Sequence, residues 1–185
     1  MQLSRELAVL ALACAAGCAS TRQNAHAPDT LSFSLPDLSG KTVGTSDYQG
    51  RVVLVDFWAT WCKPCEHSFP FYSELQTKFG QEGLTVLAIS VDERDDDVAS
   101  FLERHEVSFQ VLRDPKGSVA HSIDRAIESM PTAVLLGRDG HVRLVHTGFV
   151  SGDEERLTEA VKDALAQPSP QPTEPGGAHT STETP

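Results

Sequence analysis

The sequence of 185 residues predicts an α/β domain in which strands and helices alternate along the chain. Two continuous apolar runs, at 52–57 and 84–91, have the length and composition of strands buried on both faces. Between them, residues 62–79 place Phe71, Leu75 and Phe79 at helical spacing. A helix between two buried strands is typical of a layered sheet that is covered by helices.

The other predicted elements are shorter. Phe33 and Leu35 alternate with polar residues before a turn, which indicates a strand ahead of the first buried run. The remaining segments follow in chain order: a helix at 98–105, a strand at 109–112, a helix at 117–124, strands at 133–136 and 141–145 joined around Arg138-Asp139-Gly140, and a helix at 153–166. Residues 31–166 therefore predict one domain, because about 135 residues suffice for a single core.

The N-terminal residues 1–18 have the features of a signal peptide. Their apolar stretch of about ten residues is too short to span a bilayer and long enough for a signal-peptide core. The segment Ala15-Ala16-Gly17-Cys18 resembles the lipobox of bacterial lipoproteins, which implies cleavage before Cys18 and attachment of a lipid anchor to it. Ordinary secretory cleavage after Ala13-Cys14-Ala15 and an uncleaved anchor are the alternatives.

The segments that flank the predicted domain have the composition of unfolded chain. Residues 19–30 are small and polar, which predicts a flexible tether, and residues 167–185 are rich in Pro, Ser, Thr and Gly. Such a tail cannot bury enough apolar surface to fold, so we expect it to be disordered. A partner-docking role for the Pro-rich tail is an open alternative.

The predicted domain contains two cysteines, Cys62 and Cys65, because the other two of the four lie in the N-terminal stretch. A disulfide scaffold would need several pairs, and zinc held by protein alone would normally need four ligands. Covalent c-type haem needs a His directly after the second Cys, where this chain has Glu66. The spacing therefore favours thiol redox exchange and predicts no metal site.

Cys62 and Cys65 lie where the predicted strand 52–57 is followed by the predicted helix 62–79. Unpaired amide groups at a helix N-terminus stabilise a thiolate, and in a Cys-X-X-Cys motif they can lower the thiol pKa from about 8.5 to about 7. This shift raises the thiolate fraction at pH 7 from a few per cent to about half. The reactive form of the cysteine is then the common form.

The charge of the chain limits the class of partner. A formal net charge of −11 argues against nucleic acid or an anionic surface. The acidic run at 92–97 lacks the Gly and the terminal Glu of a calcium loop. It predicts a solvated loop that caps the next helix.

Four motifs resemble thioredoxin-fold proteins: Val55-Asp56-Phe57-Trp58-Ala59, Trp61-Cys62-x-Pro64-Cys65, the later Pro70, and Met130-Pro131-Thr132 before a strand. The extension at 31–50 and the extra helix and strand within 92–130 resemble the membrane-tethered TlpA/ResA-like thiol-disulfide oxidoreductases of the bacterial envelope. The resemblance covers residues 31–166. It implies a thioredoxin-like fold with an N-terminal extension and an inserted helix and strand before a cis-proline loop.

The resemblance assigns roles to the residues around the motif. Cys62 is the exposed nucleophile, and Cys65 resolves the mixed disulfide. Pro64 stiffens the first helical turn, and the positive charge of Lys63 favours the thiolate unless it is only solvated. Trp61 shields the cysteines from water and shapes a docking surface, whereas Trp58 belongs to the core.

Two further positions carry expectations from the resemblance. Asp56 lies where thioredoxins have a buried acid beneath the cysteines, so it is expected to relay the proton of Cys65, or else to be a hydrogen-bonded structural carboxylate. Many relatives instead carry Asn there and a Glu three residues after the second Cys, where this chain has Ser68. Pro131 is expected to be cis, with Met130 either contacting clients or packing in the core.

The leading function is therefore a thiol-disulfide oxidoreductase of the bacterial cell envelope. We expect it to face the periplasm, to reduce client proteins with electrons from a membrane donor, and to use no cofactor besides the Cys62–Cys65 pair. A thiol peroxidase and a Cu(I)-binding assembly protein are the alternatives. A peroxiredoxin has a Thr three residues before its reactive Cys, whereas Thr60 is two before Cys62, and known copper chaperones of this fold resemble C-x-x-x-C.

Overall fold

The computed structural model describes residues 28–123, 126 and 128–169. These residues contain seven strands and three α-helices. The strands are β1 (Ser34–Pro36), β2 (Thr42–Gly44), β3 (Val52–Trp58), β4 (Leu84–Ser90), β5 (Gln110–Arg113), β6 (Thr132–Leu136) and β7 (Val142–Thr147). The helices are α1 (Lys63–Phe79), α2 (Asp95–Leu102) and α3 (Asp153–Ala166). Cys18 and most of the predicted tether and tail lie outside these residues.

The main sheet has five strands in the order β5-β4-β3-β6-β7, and β1 and β2 form a separate antiparallel hairpin. Strands β3, β4 and β5 are parallel, whereas β6 and β7 run antiparallel to their neighbours. The predicted α/β class is confirmed. Within the described part of the chain, no helix is both long and apolar enough to cross a membrane.

Strand β3 is the central strand, and all seven of its residues are buried. Alternate side chains point to opposite faces, so Leu54 and Trp58 pack with α1 and α3 while Val55 and Phe57 pack in the other layer. We call the first side, together with its core, the helix face. Burial on both faces explains why the sequence of β3 is almost continuously apolar.

Helix α1 begins directly after Cys62, whose backbone is extended, with φ −88° and ψ 98°. Pro64 lies in its first turn, where the missing N–H has no helical partner to lose. The buried side of α1 consists of Cys65, Ser68, Phe69, Tyr72, Leu75 and Phe79. Phe71, which the sequence pattern placed on that side, is only partly buried, and the core position next to it belongs to Tyr72.

Two predicted helices differ from the structure. Helix α2 starts at Asp95 instead of 98, because three aspartates occupy its first turn, where the helix dipole favours negative charge. The predicted helix at 117–124 is wrong: the described residues there contain only a 3₁₀ turn at Ala120–Ser122. The Asp114 carboxylate accepts hydrogen bonds from the backbone N–H groups of Ser118, Val119 and Ala120, which holds this segment in a turn.

Candidate active site

Cys62 and Cys65 form a disulfide at the junction of β3 and α1, with their Cα atoms 5.3 Å apart. The Cys62 N–H donates to Ala59 O at 3.0 Å, and the Cys65 N–H donates to Cys62 O at 3.1 Å. These bonds form the turn that leads from the strand into the helix. The two sulfur atoms therefore lie at the helix N-terminus, where the dipole stabilises a thiolate once the disulfide is reduced.

Cys62 is more exposed than Cys65, as the sequence predicted. Cys65 is fully buried, and Cys62 exposes 5% of its surface. Cys62 is thus the accessible member of the pair but less exposed than the sequence suggested, because the turn places it against the core of the helix face. Trp61 exposes 67% of its surface and thus presents a large apolar side chain to solvent next to Cys62.

The side chain of Lys63 is largely solvated and paired with a neighbour. Its Nζ lies 3.1 Å from Glu66 Oε1, and its side chain is 81% exposed. The hydrogen bond from Lys63 holds the pKa of the Glu66 carboxyl below its ordinary value. The charge that was expected to favour the Cys62 thiolate is therefore largely offset by Glu66, and an exposed pair of this kind contributes little to stability.

Asp56 is fully buried on β3, and neither of its carboxylate oxygens has a hydrogen-bond partner among the described residues. Burial raises the pKa of Asp56 well above its ordinary value, because the charged form is poorly solvated there. The alternative of a hydrogen-bonded structural carboxylate does not fit this environment. An unpaired acid with a raised pKa can bind and release a proton at a higher pH than an ordinary carboxyl group can.

The cis-proline expected from the sequence is present: the Met130–Pro131 peptide bond is cis. Pro131 O accepts a hydrogen bond from the Gly148 N–H at 2.7 Å, and the Thr132 hydroxyl donates to Ser129 O at 3.1 Å. These bonds fix the segment against the start of β6 and the end of β7. Met130 is partly buried and packs against the helix-face core, which also contains both cysteines.

A polar network beside the cysteines was missed in the sequence. Asp92 is 5% exposed, and its carboxylate accepts from the Thr60 N–H at 3.1 and 3.0 Å, from Thr60 Oγ1 at 2.7 Å and from Ser90 Oγ at 2.9 Å. The network therefore holds Thr60, two residues before Cys62. Asp92 was predicted to be solvated with the rest of its acidic run, which is wrong because it follows a buried strand end and turns inward.

Arg113 extends this network from β5. Its guanidinium donates to Ser90 Oγ at 2.7 Å, to Asp92 O at 2.8 Å and to Asp95 Oδ1 at 2.7 Å, while only 4% of the side chain is exposed. In the sequence, the signal for this buried ion pair was Arg113, a charged residue directly after the apolar strand segment 109–112. The carboxyl ends of β3, β4 and β5 are thereby fixed together beside the active-site turn.

This arrangement defines a thiol-disulfide exchange site on a thioredoxin-like fold. The family model described as AhpC/TSA matches residues 24–145, and the chain belongs to that family. Curated relatives include the thiol-disulfide oxidoreductase ResA of Geobacillus kaustophilus, 35% identical over 137 residues, which are 74% of this chain and 76% of that one. ResA of Bacillus subtilis is 32% identical over 136 residues, covering 74% and 73%.

Solved structures that resemble this protein are also thiol-disulfide exchange proteins with a thioredoxin-like fold. The thiol:disulfide interchange protein DsbE of Chlorobium tepidum superposes with a TM-score of 0.70 at 37% identity, covering 75% of this chain and 96% of that one. The exposed lipoprotein thioredoxin of Streptococcus pneumoniae has a TM-score of 0.61 at 26% identity, covering 71% and 98%. The protein is accordingly a thiol-disulfide oxidoreductase with a thioredoxin-like fold.

Proposed function

We propose that the protein reduces disulfides of client proteins in the bacterial cell envelope through the Cys62–Cys65 dithiol. The observation that carries this proposal is the disulfide at the N-terminus of α1, with Cys62 the more accessible sulfur and Cys65 fully buried. This order of exposure suits Cys62 to attack a large substrate and Cys65 to act only within the protein.

The proposed exchange has two steps. The Cys62 thiolate attacks one sulfur of a client disulfide, forming a mixed disulfide and releasing the other client sulfur as a thiolate. Cys65 then gives its proton to the Asp56 carboxylate and attacks the Cys62 sulfur, which releases the second client thiolate. The client gains two electrons, the protein is left with the Cys62–Cys65 disulfide, and no further cofactor takes part.

Two electrostatic features favour the reducing direction. A stable thiolate makes a dithiol more oxidising, because it stabilises the reduced form. Here the charge of Lys63 is offset by Glu66, and Cys65 is fully buried, so that a thiolate on it would be poorly solvated. The first effect withholds stabilisation from the Cys62 thiolate and the second disfavours a Cys65 thiolate, so both make the dithiol a better electron donor.

The envelope location is supported by the N-terminal sequence and by one relative. Residues 15–18 resemble a lipobox, and the structural neighbour from Streptococcus pneumoniae is described as an exposed lipoprotein. We propose that Cys18 carries a lipid that anchors the domain on the periplasmic side of the envelope. Regeneration of the dithiol then calls for an electron donor in the membrane.

The roles of the cysteines can be tested with single substitutions. Cys62→Ser should abolish the reduction of insulin disulfides, whereas Cys65→Ser should accumulate a mixed disulfide that is visible on a non-reducing gel, because nothing is left to resolve it. Peroxide consumption is measured in parallel to test for a thiol peroxidase. Normal turnover by the Cys62→Ser variant would contradict the mechanism.

A further inference from the structure

Asp56 belongs to a row of residues that crosses the sheet on the helix face. It lies in register with Ala133 on β6, and Ala133 lies in register with His146 on β7. Residues in register point to the same face, so the carboxyl of Asp56 and the imidazole of His146 point to the same side of the sheet, from strands whose backbones lie two strand spacings, or about 10 Å, apart. The neighbours of Asp56 are Ala88 on β4 and Ala133, whose methyl groups leave the region above them to other side chains.

Tyr72 enters this region from α1. Its side chain is fully buried, and its hydroxyl has no hydrogen-bond partner among the described residues. Burial, and then the charges of Asp56 and Asp153, raise the pKa of Tyr72 well above its ordinary value. The hydroxyl therefore stays protonated and senses the carboxylates at both ends of the row.

The outer end of the row is at the start of α3. His146 Nε2 lies 3.1 Å from Asp153 Oδ2, and this carboxylate is the neighbour with which the imidazole pairs when it is protonated. The hydrogen bond from the Val150 N–H, followed by the interaction with His146, holds the pKa of Asp153 below its ordinary value. Asp153 is thus a fixed negative charge beside the imidazole, and its side chain is 15% exposed.

Buried polar atoms normally have a partner, and the exceptions here are concentrated in one place. Within the described residues, the buried side-chain atoms without one are Asp56 Oδ1 and Oδ2, Trp58 Nε1, Tyr72 OH and His146 Nε2. All of them belong to the helix face. Since these donors and acceptors make no hydrogen bonds to one another, a proton can pass between the buried acid and the surface only through bound water that bridges them.

We propose that Tyr72 and His146 carry protons between Asp56 and solvent, so that the path leaves the core beside the N-terminus of α3 instead of past the cysteines. This inference rests on the proposed role of Asp56. The proton that Asp56 takes from Cys65 passes through intervening water to the oxygen of Tyr72, as the Tyr72 hydroxyl releases its own proton through water towards His146. The imidazolium that forms is stabilised by Asp153 and then loses its proton to water, which restores every group.

The titratable groups that face this path come from four elements, and strand β7 contributes His146. Helix α1 contributes Cys65 and Tyr72, and helix α3 contributes Asp153, with Arg156 as a nearby positive charge. Strand β3 contributes Asp56, whereas Ala88 and Ala133 on the adjoining strands do not titrate. The pH dependence of the path should therefore follow Asp56, whose pKa is raised by burial.

The test is Tyr72→Phe, which removes a single oxygen that has no partner. Release of client from a preformed Cys62 mixed disulfide is followed by stopped flow in H₂O and D₂O across pH 5–9. We expect release near neutral pH to slow by roughly 10- to 100-fold, up to the lower range of a general acid-base contribution. The equilibrium reduction potential should be unchanged, because a proton path alters rates and not end states.

Tyr48→Phe is the matched control, since it also deletes a tyrosine hydroxyl, one that donates to Gln110 Oε1 at 2.7 Å in the opposite layer. It should release client at the wild-type rate. If Tyr72→Phe fails to fold, His146→Gln replaces it as the test, and we expect it to slow client release to the same extent.

The outcomes separate this inference from the proposed function. A slow Asp56→Asn variant together with wild-type rates and isotope effects in Tyr72→Phe and His146→Gln would overturn the path and leave the role of Asp56 intact. A wild-type rate in Asp56→Asn would instead overturn the role of Asp56 in the proposed function.

Discussion

Two buried aspartates lie near the active-site turn, and their surroundings are opposite. Asp92 accepts hydrogen bonds from Thr60 and Ser90, whereas Asp56 has no partner among the described residues. A satisfied carboxylate stabilises the structure around it, and an unsatisfied one costs stability while remaining free to bind a proton. The contrast shows that one site can contain a carboxylate that positions the reactive turn and another that is suited to chemistry.

Asp92→Ala should have the largest effect on stability. The substitution leaves the N–H and hydroxyl groups of Thr60 and the hydroxyl of Ser90 without their acceptor, in a region that excludes water. We expect the free energy of unfolding to fall by about 3 kcal/mol, since each unsatisfied buried group costs about 1–3 kcal/mol. Urea denaturation measures it.

Asp92→Asn is the control for this prediction, because its amide oxygen can still accept from Thr60. It should lose less stability than Asp92→Ala. Equal stability of Asp92→Ala and the wild type would show that the network does not hold the turn.

Asp56→Asn should increase the free energy of unfolding, whereas Asp92→Ala decreases it, and the increase should depend on pH. The pKa of Asp56 is raised in the folded state, so its unfolded form ionises first, above about pH 4. The free energy of unfolding of the wild type therefore falls as the pH rises from about 4 towards the folded pKa of Asp56, by at most about 1.4 kcal/mol per pH unit. Asp56→Asn has no carboxyl group at this position and should not show this decrease.

The measurement is the free energy of unfolding of both proteins between pH 4 and 8. The difference in favour of Asp56→Asn should grow as the pH rises above about 4 and level off above the folded pKa of Asp56. A difference that is constant from pH 4 to 8 would mean that Asp56 has an ordinary pKa in the folded protein.

Lys63→Gln should have the smallest effect of the three. The ammonium group is exposed and paired with Glu66, so its removal should change the free energy of unfolding by less than about 0.5 kcal/mol. The pKa of the Cys62 thiol, measured by the pH dependence of its alkylation, should stay nearly the same. A large increase in that pKa would show that Lys63 stabilises the thiolate after all.

Local patterns were sufficient to predict much of this fold. The apolar runs predicted β3 and β4, helical spacing predicted α1 and α3, and the motif placed Cys62 and Cys65 at the correct junction. The start of α2 was missed because its first turn is acidic and carries no apolar periodicity. The turn at 120–122 depends on the side chain of Asp114, which local periodicity does not register.

The polar surroundings of the site could not be predicted, because they depend on contacts between distant segments. Asp92 looks like one more solvated acid until Thr60 is placed beside it by the pairing of β3 with β4. The alignment of Asp56 with His146 depends on the register of two successive strand pairs, about 90 residues apart in sequence. Sequence alone identifies these side chains but not their neighbours.

The central claim, that this protein gives electrons to its clients, is tested most directly by the reduction potential of the Cys62–Cys65 pair. The domain is equilibrated in glutathione or dithiothreitol buffers, and the redox state is followed by Trp fluorescence. We expect a value of about −220 mV or lower, as for a reductant that needs electrons from a partner. A value of about −120 mV, as for a strong oxidant, would contradict the claim.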